Sequence, residues 1–253
     1  MVGVLRYEWR RISSIRSTWI LLALSIVFSA GLAALVTVGL NAANSVSDSD
    51  STVEPAGLLS MGGALSTATT NFVVLVLLGT VAAQAFGQEY RQGTIRLTLT
   101  AFPRRMPVFV GKVLVCCLWI TAAFVLSLVV SALIFWPQTG IIAHPDSTVS
   151  FAAFILRAWL FLMGFCLVVF AVTVLTRILA LGVIIPLLLA VVVENLITGL
   201  AGSWLPWIGK VLPFTSGNNF VAGEDMVRNG LVYLAWVAVL VAAALVVFER
   251  KDA

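Results

Sequence analysis

The sequence predicts an all-α integral membrane protein with six transmembrane helices. Of its 253 residues, 61% are hydrophobic and only 10% are charged, whereas a soluble domain typically contains about 45–50% apolar and about 25% charged residues. Six apolar stretches reach the ~20 residues that a spanning helix needs. The basic residues lie in short flanks beside these stretches, which suits a membrane surface better than a nucleic-acid partner.

An amphipathic segment, residues 1–18, precedes the first predicted span. Its apolar residues recur at steps of three and four, namely Val2, Leu5, Trp9, Ile12 and Ile15. This spacing predicts a helix that lies along the membrane interface, with Arg6 and Arg10 mostly on another face. The helix either serves only as a topological anchor or offers a contact surface to a cytoplasmic partner.

Six predicted spans follow, and we treat residues 1–253 as a single transmembrane domain. The spans cover residues 19–40, 65–86, 113–136, 151–175, 178–199 and 231–248. If both termini are inside, twelve Lys and Arg residues flank the spans on the inner side and two on the outer side. Because cytoplasmic loops carry the excess of basic residues, the sequence predicts that both termini are cytoplasmic.

The loop after the second predicted span, residues 87–112, holds five basic residues and one carboxylate, together with Gly87, Gly93 and a break at Pro103. Positive charge alone would be enough to set topology. The additional features therefore favour a short, bent helical element that projects into the cytoplasm and pairs with the charges of a partner. A role in topology alone stays open.

The loop before the last predicted span, residues 200–230, contains two apolar patches that are too short to cross a membrane. Pro206 and Pro213 interrupt them. Irregular backbone at membrane depth is tolerated where protein or a water-filled cavity covers it. We therefore predict two short re-entrant or interfacial helices that cap the outer side.

One carboxylate, Glu194, lies inside the fifth predicted span. At 1.5 Å per residue it lies ~25 Å from Arg177, close to the outer side of a ~30 Å hydrocarbon core. An intramembrane carboxylate is by default a functional hypothesis, here a gate or a substrate pathway. Alternatively, Glu194 hydrogen-bonds the backbone of the outer loop or pairs with Lys210 or Arg228.

Two further residues stand out inside the predicted spans. Arg157, near the outer end of the fourth span, is long enough to extend toward the interface, and pairing with Glu194 or with a lipid headgroup is the alternative. Pro186 predicts a kink in the fifth span, because proline removes a helical backbone donor.

The order of motifs along the chain resembles the permease subunit of type-2 ATP-binding-cassette (ABC) exporters. The loop after the second span carries that family's pattern at Glu89, Gly93-Thr94, 97–103, Arg104 or Arg105, and Gly111-Lys112. Leu212-Pro213-Phe214 matches the outer segment of that family. Residues 248–252 match the aromatic–basic–acidic sequence at the family's usual C-terminus, except that Lys251 extends the basic pair. Together the motifs cover essentially the whole chain.

This resemblance implies a half-transporter that joins a second permease copy or paralogue and separate ABC ATPase subunits. It implies partner-coupling residues Glu89, Arg91, Gly93, Thr94, Arg96, Pro103, Arg104 and Arg105, with Arg6 and Arg10 in the N-terminal helix. Together with the intramembrane carboxylate, the matched outer segment makes Glu194, Asn195, Leu212, Pro213 and Phe214 the candidate residues of an outer gate or pathway.

The sequence lacks the motifs of an enzyme. No G-x-x-x-x-G-K-[ST] motif is present, since Gly111-Lys112 is followed by Val113. The single histidine, His144, provides no zinc-binding pair. We expect no catalytic residue, cofactor or metal in this chain, and we expect ATP and Mg²⁺ to bind to the partner ATPase.

The expected function is export of a hydrophobic or amphipathic substrate, such as a drug, a peptide antibiotic or a lipid, across the bacterial cytoplasmic (inner) membrane. Permeases of this kind are typical of systems that confer multidrug or antibiotic resistance. A secondary transporter is an alternative, although neither internal repeats nor midplane charges are evident. A membrane immunity or binding protein that transports nothing is the other alternative.

Overall fold

A computed structural model describes residues 2–47, 65, 67–101, 105–136, 151–201 and 207–250. These residues form helices and turns and contain no β-strand. Six helices among them are long and apolar enough to cross a membrane, at Arg16–Gly39, Phe72–Gln92, Arg105–Phe135, Ala152–Thr176, Leu179–Leu200 and Met226–Arg250. The prediction of an all-α membrane protein with six spans is therefore confirmed.

Ten α-helices make up the described part of the chain. They are α1 (Val2–Ser14), α2 (Arg16–Ser47), α3 (Phe72–Gln92), α4 (Ile95–Ala101), α5 (Arg105–Phe135), α6 (Phe151–Thr176), α7 (Leu179–Leu188), α8 (Glu194–Ala201), α9 (Pro213–Ala222) and α10 (Met226–Arg250). A π-helical turn, Leu189–Val193, joins α7 to α8, and a 3₁₀ turn, Ile208–Lys210, precedes α9. We call the two ends of the bundle the α1 end and the α9 end. The assignment of the α1 end to the cytoplasm stays a prediction.

Several spans extend beyond the apolar stretches that predicted them, because charged residues continue the helices at the α1 end. α3 continues to Gln92, where Gly93 caps it in the left-handed conformation (φ +67°). The N–H of Thr94 donates to the carbonyl of Glu89 at 3.1 Å, a bond typical of the Schellman motif. The chain then turns into α4, as expected for a short, bent element after the second span.

α6 is the most deeply buried span and packs against α3, α7 and α10. Its contact with α10 depends on Gly164, since a Cβ atom there would lie 2.6 Å from the Tyr233 side chain. The Tyr233 hydroxyl donates to the backbone carbonyl of Phe161 at 2.6 Å. A glycine in α6 therefore makes room for the aromatic ring and for its hydrogen bond.

The fifth span is interrupted after Pro186. The helix widens into the π-helical turn Leu189–Val193, and the N–H of Glu194 bonds to the carbonyl of Leu189. Such single π turns occur inside α-helices, frequently beside functional sites. The kink at Pro186 stays a prediction, and the π-helical turn lies a few residues later, immediately before Glu194.

We predicted two short helices between the fifth and sixth spans, and the described residues there form one α-helix, α9, and one 3₁₀ turn. α9 begins with Pro213 in its first turn and ends at Gly223, which has φ +93°. The other element that the structure describes there is the 3₁₀ turn Ile208–Lys210. Pro206 lies outside the described residues.

Substitution of Gly164 by alanine tests the packing of α6 against α10. The added Cβ displaces the Tyr233 ring and its hydrogen bond, so we expect a loss of about 1–3 kcal/mol in the free energy of unfolding. Thermal melting of the purified protein in detergent measures the loss. The matched control is Gly31→Ala in α2, where a Cβ meets no atom within 4 Å. Equal melting temperatures for the two variants would contradict this account of the interface.

Candidate functional site

Four charged side chains from three helices meet inside the protein at the α1 end, and we call them the four-charge cluster. Its members are Glu8 and Arg11 of α1, Glu89 of α3 and Lys112 of α5. Glu8 and Lys112 are fully buried, and Glu89 is 3% exposed. Two carboxylates and two cations give the cluster a formal charge of zero.

Lys112 lies at the centre of the cluster. Its Nζ atom donates to Oε1 of Glu8 and to Oε1 of Glu89, each at 2.7 Å. The carbonyl of Ala85 is 3.4 Å from the same nitrogen. The ammonium also lies 5.1 Å from the centre of the Phe86 ring, a cation–π distance. Lys112, a residue of α5, therefore links all three helices by bonding to α1 and to α3.

Arg11 closes the cluster on its half-buried side. It forms ion pairs with Glu89 and, at 3.2 Å, with Glu8, and its Nη2 donates to the carbonyl of Ala85 at 2.5 Å. Burial lowers the pKa of the Arg11 guanidinium, whereas the negative charge of Glu8 opposes the shift. An arginine remains charged at neutral pH because its ordinary pKa is ~12.5 or above.

The packing around the cluster explains why glycine and lysine are adjacent at 111–112. A Cβ atom at Gly111 would lie 2.7 Å from the Val4 side chain, so the glycine lets α1 approach α5 closely. The next residue, Lys112, then reaches Glu8. Beneath it, four rings pack together with centroid separations of 5.2–6.0 Å, those of Phe86, Phe109, Phe170 and Phe248.

The structure separates the predicted partner-coupling residues into a buried and an exposed group. Glu89 is held in the interior by Lys112 and Arg11, so its carboxylate is not available for direct pairing with another protein. Arg6, Arg10 and Arg91 are exposed. The prediction that Glu89 pairs with a partner therefore needs revision, whereas the three arginines remain candidates.

Of the remaining predicted coupling residues, four lie in the described part of the chain between the end of α3 and the start of α5. Gly93 caps α3, Thr94 precedes α4, and Arg96 lies within α4. Arg105 donates to the carbonyls of Phe248 and Glu249 at 3.4 and 3.0 Å, at the end of α10. Pro103 and Arg104 lie outside the described residues.

Sequence reasoning did not assign Glu8, Arg11 or Lys112 to the site. The observed buried stripe of α1 is Val4, Glu8 and Ile12, so the buried face differs from the one that the apolar residues predicted. Their spacing of four places Glu8 on one face with Val4 and Ile12. A carboxylate on an apolar helix face was the signal that could have indicated a buried cation.

A second group of charges holds α9 in place. Glu194 is 2% exposed, and its two carboxylate oxygens accept hydrogen bonds from the N–H groups of Phe214 at 2.9 Å and Thr215 at 2.5 Å. The Thr215 hydroxyl donates to Oε2 at 2.7 Å. Glu194 thus satisfies free N–H groups at the start of α9, where negative charge is favourable.

The other end of α9 faces Arg157. The Nη1 atom of Arg157 donates to the carbonyl of Phe220 at 3.4 Å, in the last turn of α9. Glu194 and Arg157 therefore place opposite charges at opposite ends of one helix, each matching the sign that the helix dipole favours. Within the described residues, the two side chains do not pair with each other, nor does Glu194 pair with Lys210 or Arg228.

Three of the four other predicted residues of the outer pathway lie at the start of α9. Leu212 and Pro213 form the first turn of α9. The Phe214 ring is buried, 5.6 Å from that of Phe165. Asn195 is exposed, and its amide donates to the carbonyl of Val191 in its own helix at 2.7 Å. Of the predicted set, Glu194 and Phe214 are brought together directly, whereas the Asn195 amide bonds within its own span.

A family model described as ABC-2 family transporter protein matches residues 5–196. The match includes the whole four-charge cluster, Arg157 and Glu194, and it ends before α9. No curated protein matches the chain.

Removal of Lys112 tests the four-charge cluster. Lys112→Met leaves two buried carboxylates with only Arg11 to neutralise them, so we expect a loss of about 3–5 kcal/mol in the free energy of unfolding. Combination with Glu8→Gln restores charge balance, and we expect it to cost less than the sum of the single substitutions. Thermal melting and protease cleavage of α1 provide the readouts, and the exposed Arg10→Gln variant is the control. Strict additivity of the two substitutions would show that the residues do not form a coupled unit.

Neutralisation of Glu194 tests the attachment of α9. Glu194→Gln removes the charge that faces the start of the helix, worth about 1 kcal/mol. We expect the amides of Phe214 and Thr215 to exchange with deuterium several-fold faster, whereas Asn195→Ala in the same helix leaves their exchange unchanged. If both variants exchange at the wild-type rate, the carboxylate does not hold α9.

Proposed function

The chain belongs to the ABC-2 family of transporter proteins, and from this premise we propose that it is the permease half of an exporter driven by ATP hydrolysis in a separate subunit. Membership makes it a multi-pass membrane component of an ABC transporter, a class in which the permease associates with an ABC ATPase subunit. The bacterial cytoplasmic membrane as its location, the outward direction and binding of ATP and Mg²⁺ by the partner are parts of the proposal.

The observation that carries the proposal is the four-charge cluster. Buried ion pairs often stabilise a protein no better than apolar residues of similar volume would. Three atoms of the cluster also lack a hydrogen-bond partner in the described part of the chain, namely Glu8 Oε2, Glu89 Oε2 and Arg11 Nε. A buried polar cluster of this kind favours one geometry for α1 against α3 and α5, which a coupling device requires.

Force applied to α1 would therefore be transmitted to two spans. The cluster joins α1 to the last turns of α3 and to the early turns of α5. Val4 packs against Gly111 on the same face, so displacement of α1 separates buried charges unless α3 and α5 move with it. Closure of the ATPase subunits would push on α1 and α4 and rock the attached spans.

The exposed arginines at the α1 end supply the contact with the ATPase. Arg6 and Arg10 lie on the open face of α1, and Arg91 lies in the last turn of α3. Guanidinium groups suit ion pairs with carboxylates at an interface because they donate in a planar fork. We assign these three residues to direct contact and Glu89 to internal support of α1.

The substrate that we propose is hydrophobic or amphipathic. An apolar groove of about 580 Å³ runs between α2 and the start of α3, and its lining comprises Val27, Phe28, Gly31, Leu32, Leu35, Asn71, Phe72 and Val73. This volume lies within the range of ~300–1,000 Å³ for small-molecule sites. No bond of the substrate is broken in this chain, and release would involve α9, which lies at the same end of the bundle as the start of α3.

Charge reversal at the exposed arginines tests the contact. The triple variant Arg6→Glu, Arg10→Glu, Arg91→Glu should lose most of the co-purifying ATPase and most of the substrate-stimulated ATP turnover, since like charges would then face each other. Its melting temperature should change little because the three side chains are exposed. The matched control, Arg228→Glu, reverses an exposed arginine at the α9 end. Undiminished ATPase recovery with the triple variant would exclude these arginines as the contact.

A further inference from the structure

The guanidinium group of Arg157 is buried within a membrane span, and the described residues provide no carboxylate partner for it. It is 4% exposed, and no ion pair involves it among the described residues. An unpaired charge in a low-dielectric environment is costly, and arginines inside membrane spans usually face another charge, backbone carbonyls or water. The hydrogen bonds of Arg157 show how much of its charge the protein itself compensates.

Two backbone carbonyls and one aromatic ring of the protein contact the guanidinium. Nε donates to the carbonyl of Ala153 at 3.1 Å, one turn nearer the start of α6, and Nη1 donates to that of Phe220 at 3.4 Å. The Phe154 ring lies 4.5 Å from the guanidinium carbon. Nη2 is buried and has no hydrogen-bond partner among the described residues, so its donors remain unsatisfied.

The end of α9 compensates only part of the charge. A helix C-terminus carries roughly half an elementary negative charge, which leaves a net positive charge at Arg157. The approach is close, because a Cβ atom at Gly223 would lie 2.7 Å from Nη1. The φ of +93° at this position favours glycine. The remaining positive charge calls for an anion.

The depth of Arg157 indicates where the anion comes from. It lies five residues after the start of the span Ala152–Thr176, about 8 Å along the axis at 1.5 Å per residue. The span is about 37 Å long and exceeds the ~30 Å hydrocarbon core. The side chain runs toward the nearer interface, since Ala153 accepts its Nε–H. Lipid phosphates lie at that level.

We propose that the guanidinium of Arg157 binds the phosphate of a phospholipid headgroup at the α9 end of the bundle. Arginine binds phosphate oxygens through paired N–H groups, and the unused Nη2 edge provides such donors. Exposed apolar side chains in the first turns of α6 and α10, those of Leu156 and Val227, offer surface to the acyl chains. A bound lipid would complete the charge balance at the end of α9.

Native mass spectrometry of the delipidated protein, supplied with phosphatidylglycerol or with diacylglycerol of the same chains, tests the proposal. We expect the wild-type protein to retain one phosphatidylglycerol per chain and to prefer it to diacylglycerol. Arg157→Gln should bind it about tenfold more weakly, Arg157→Lys should be intermediate because it keeps the charge without the fork, and the exposed control Arg228→Gln should match the wild type.

Two outcomes would overturn the assignment. Equal retention of phosphatidylglycerol and diacylglycerol by the wild-type protein would remove the role of the phosphate, and this comparison needs no variant that folds poorly. Displacement of the lipid by millimolar inorganic phosphate would identify a site for a soluble anion instead. Lipid that stays bound in excess phosphate, together with a raised melting temperature in the wild type but not in Arg157→Gln, supports it.

Discussion

The burial of Lys112 between the carboxylates of Glu8 and Glu89 is the interaction on which the rest of the structure depends. Three helices contribute to the cluster, and Glu8 and Lys112 have no exposed surface. The neutral total of the four-charge cluster makes burial tolerable, whereas loss of any member leaves a charge inside. This requirement holds α1 against α3 and α5 and leaves Arg6, Arg10 and Arg91 exposed on one end of the bundle. The geometry of the proposed docking surface, formed by these three arginines, therefore depends on the buried ion pairs of the four-charge cluster.

The other end of the bundle uses charge differently. Glu194 and Arg157 bind the two ends of α9, so a ten-residue helix, too short to be stable alone, is fixed by side chains from the spans. The π-helical turn immediately before Glu194 belongs to the same arrangement. Charges at one end thus join α1 to two spans. Charges at the other end hold α9, the short helix that the proposed mechanism involves in release.

The sequence predicted the number and approximate position of the spans because hydropathy and length depend on local composition. It also placed the bent element after the second span, where Gly93 supplies the left-handed cap. The four-charge cluster was not predicted, because Lys112 and Glu8 are more than a hundred residues apart and no local pattern relates them. The buried face of α1 was predicted wrongly for the same reason, because Glu8 is classed as polar as long as its buried partner, Lys112, is unknown. Arg157 and Glu194 were recognised as unusual, but α9 as the helix between them became evident only from the tertiary structure.

The central claim is that the cluster makes α1 one body with the ends of α3 and α5. Spin labels at Ser14 of α1 and Met106 of α5, both exposed and neither assigned to the ATPase contact, report their separation by pulsed electron paramagnetic resonance. The account predicts a single narrow distance distribution that stays unchanged when the associated ATPase passes from the nucleotide-free to the ATP-bound state. A second population, or a shift of several ångströms on ATP binding, would contradict it.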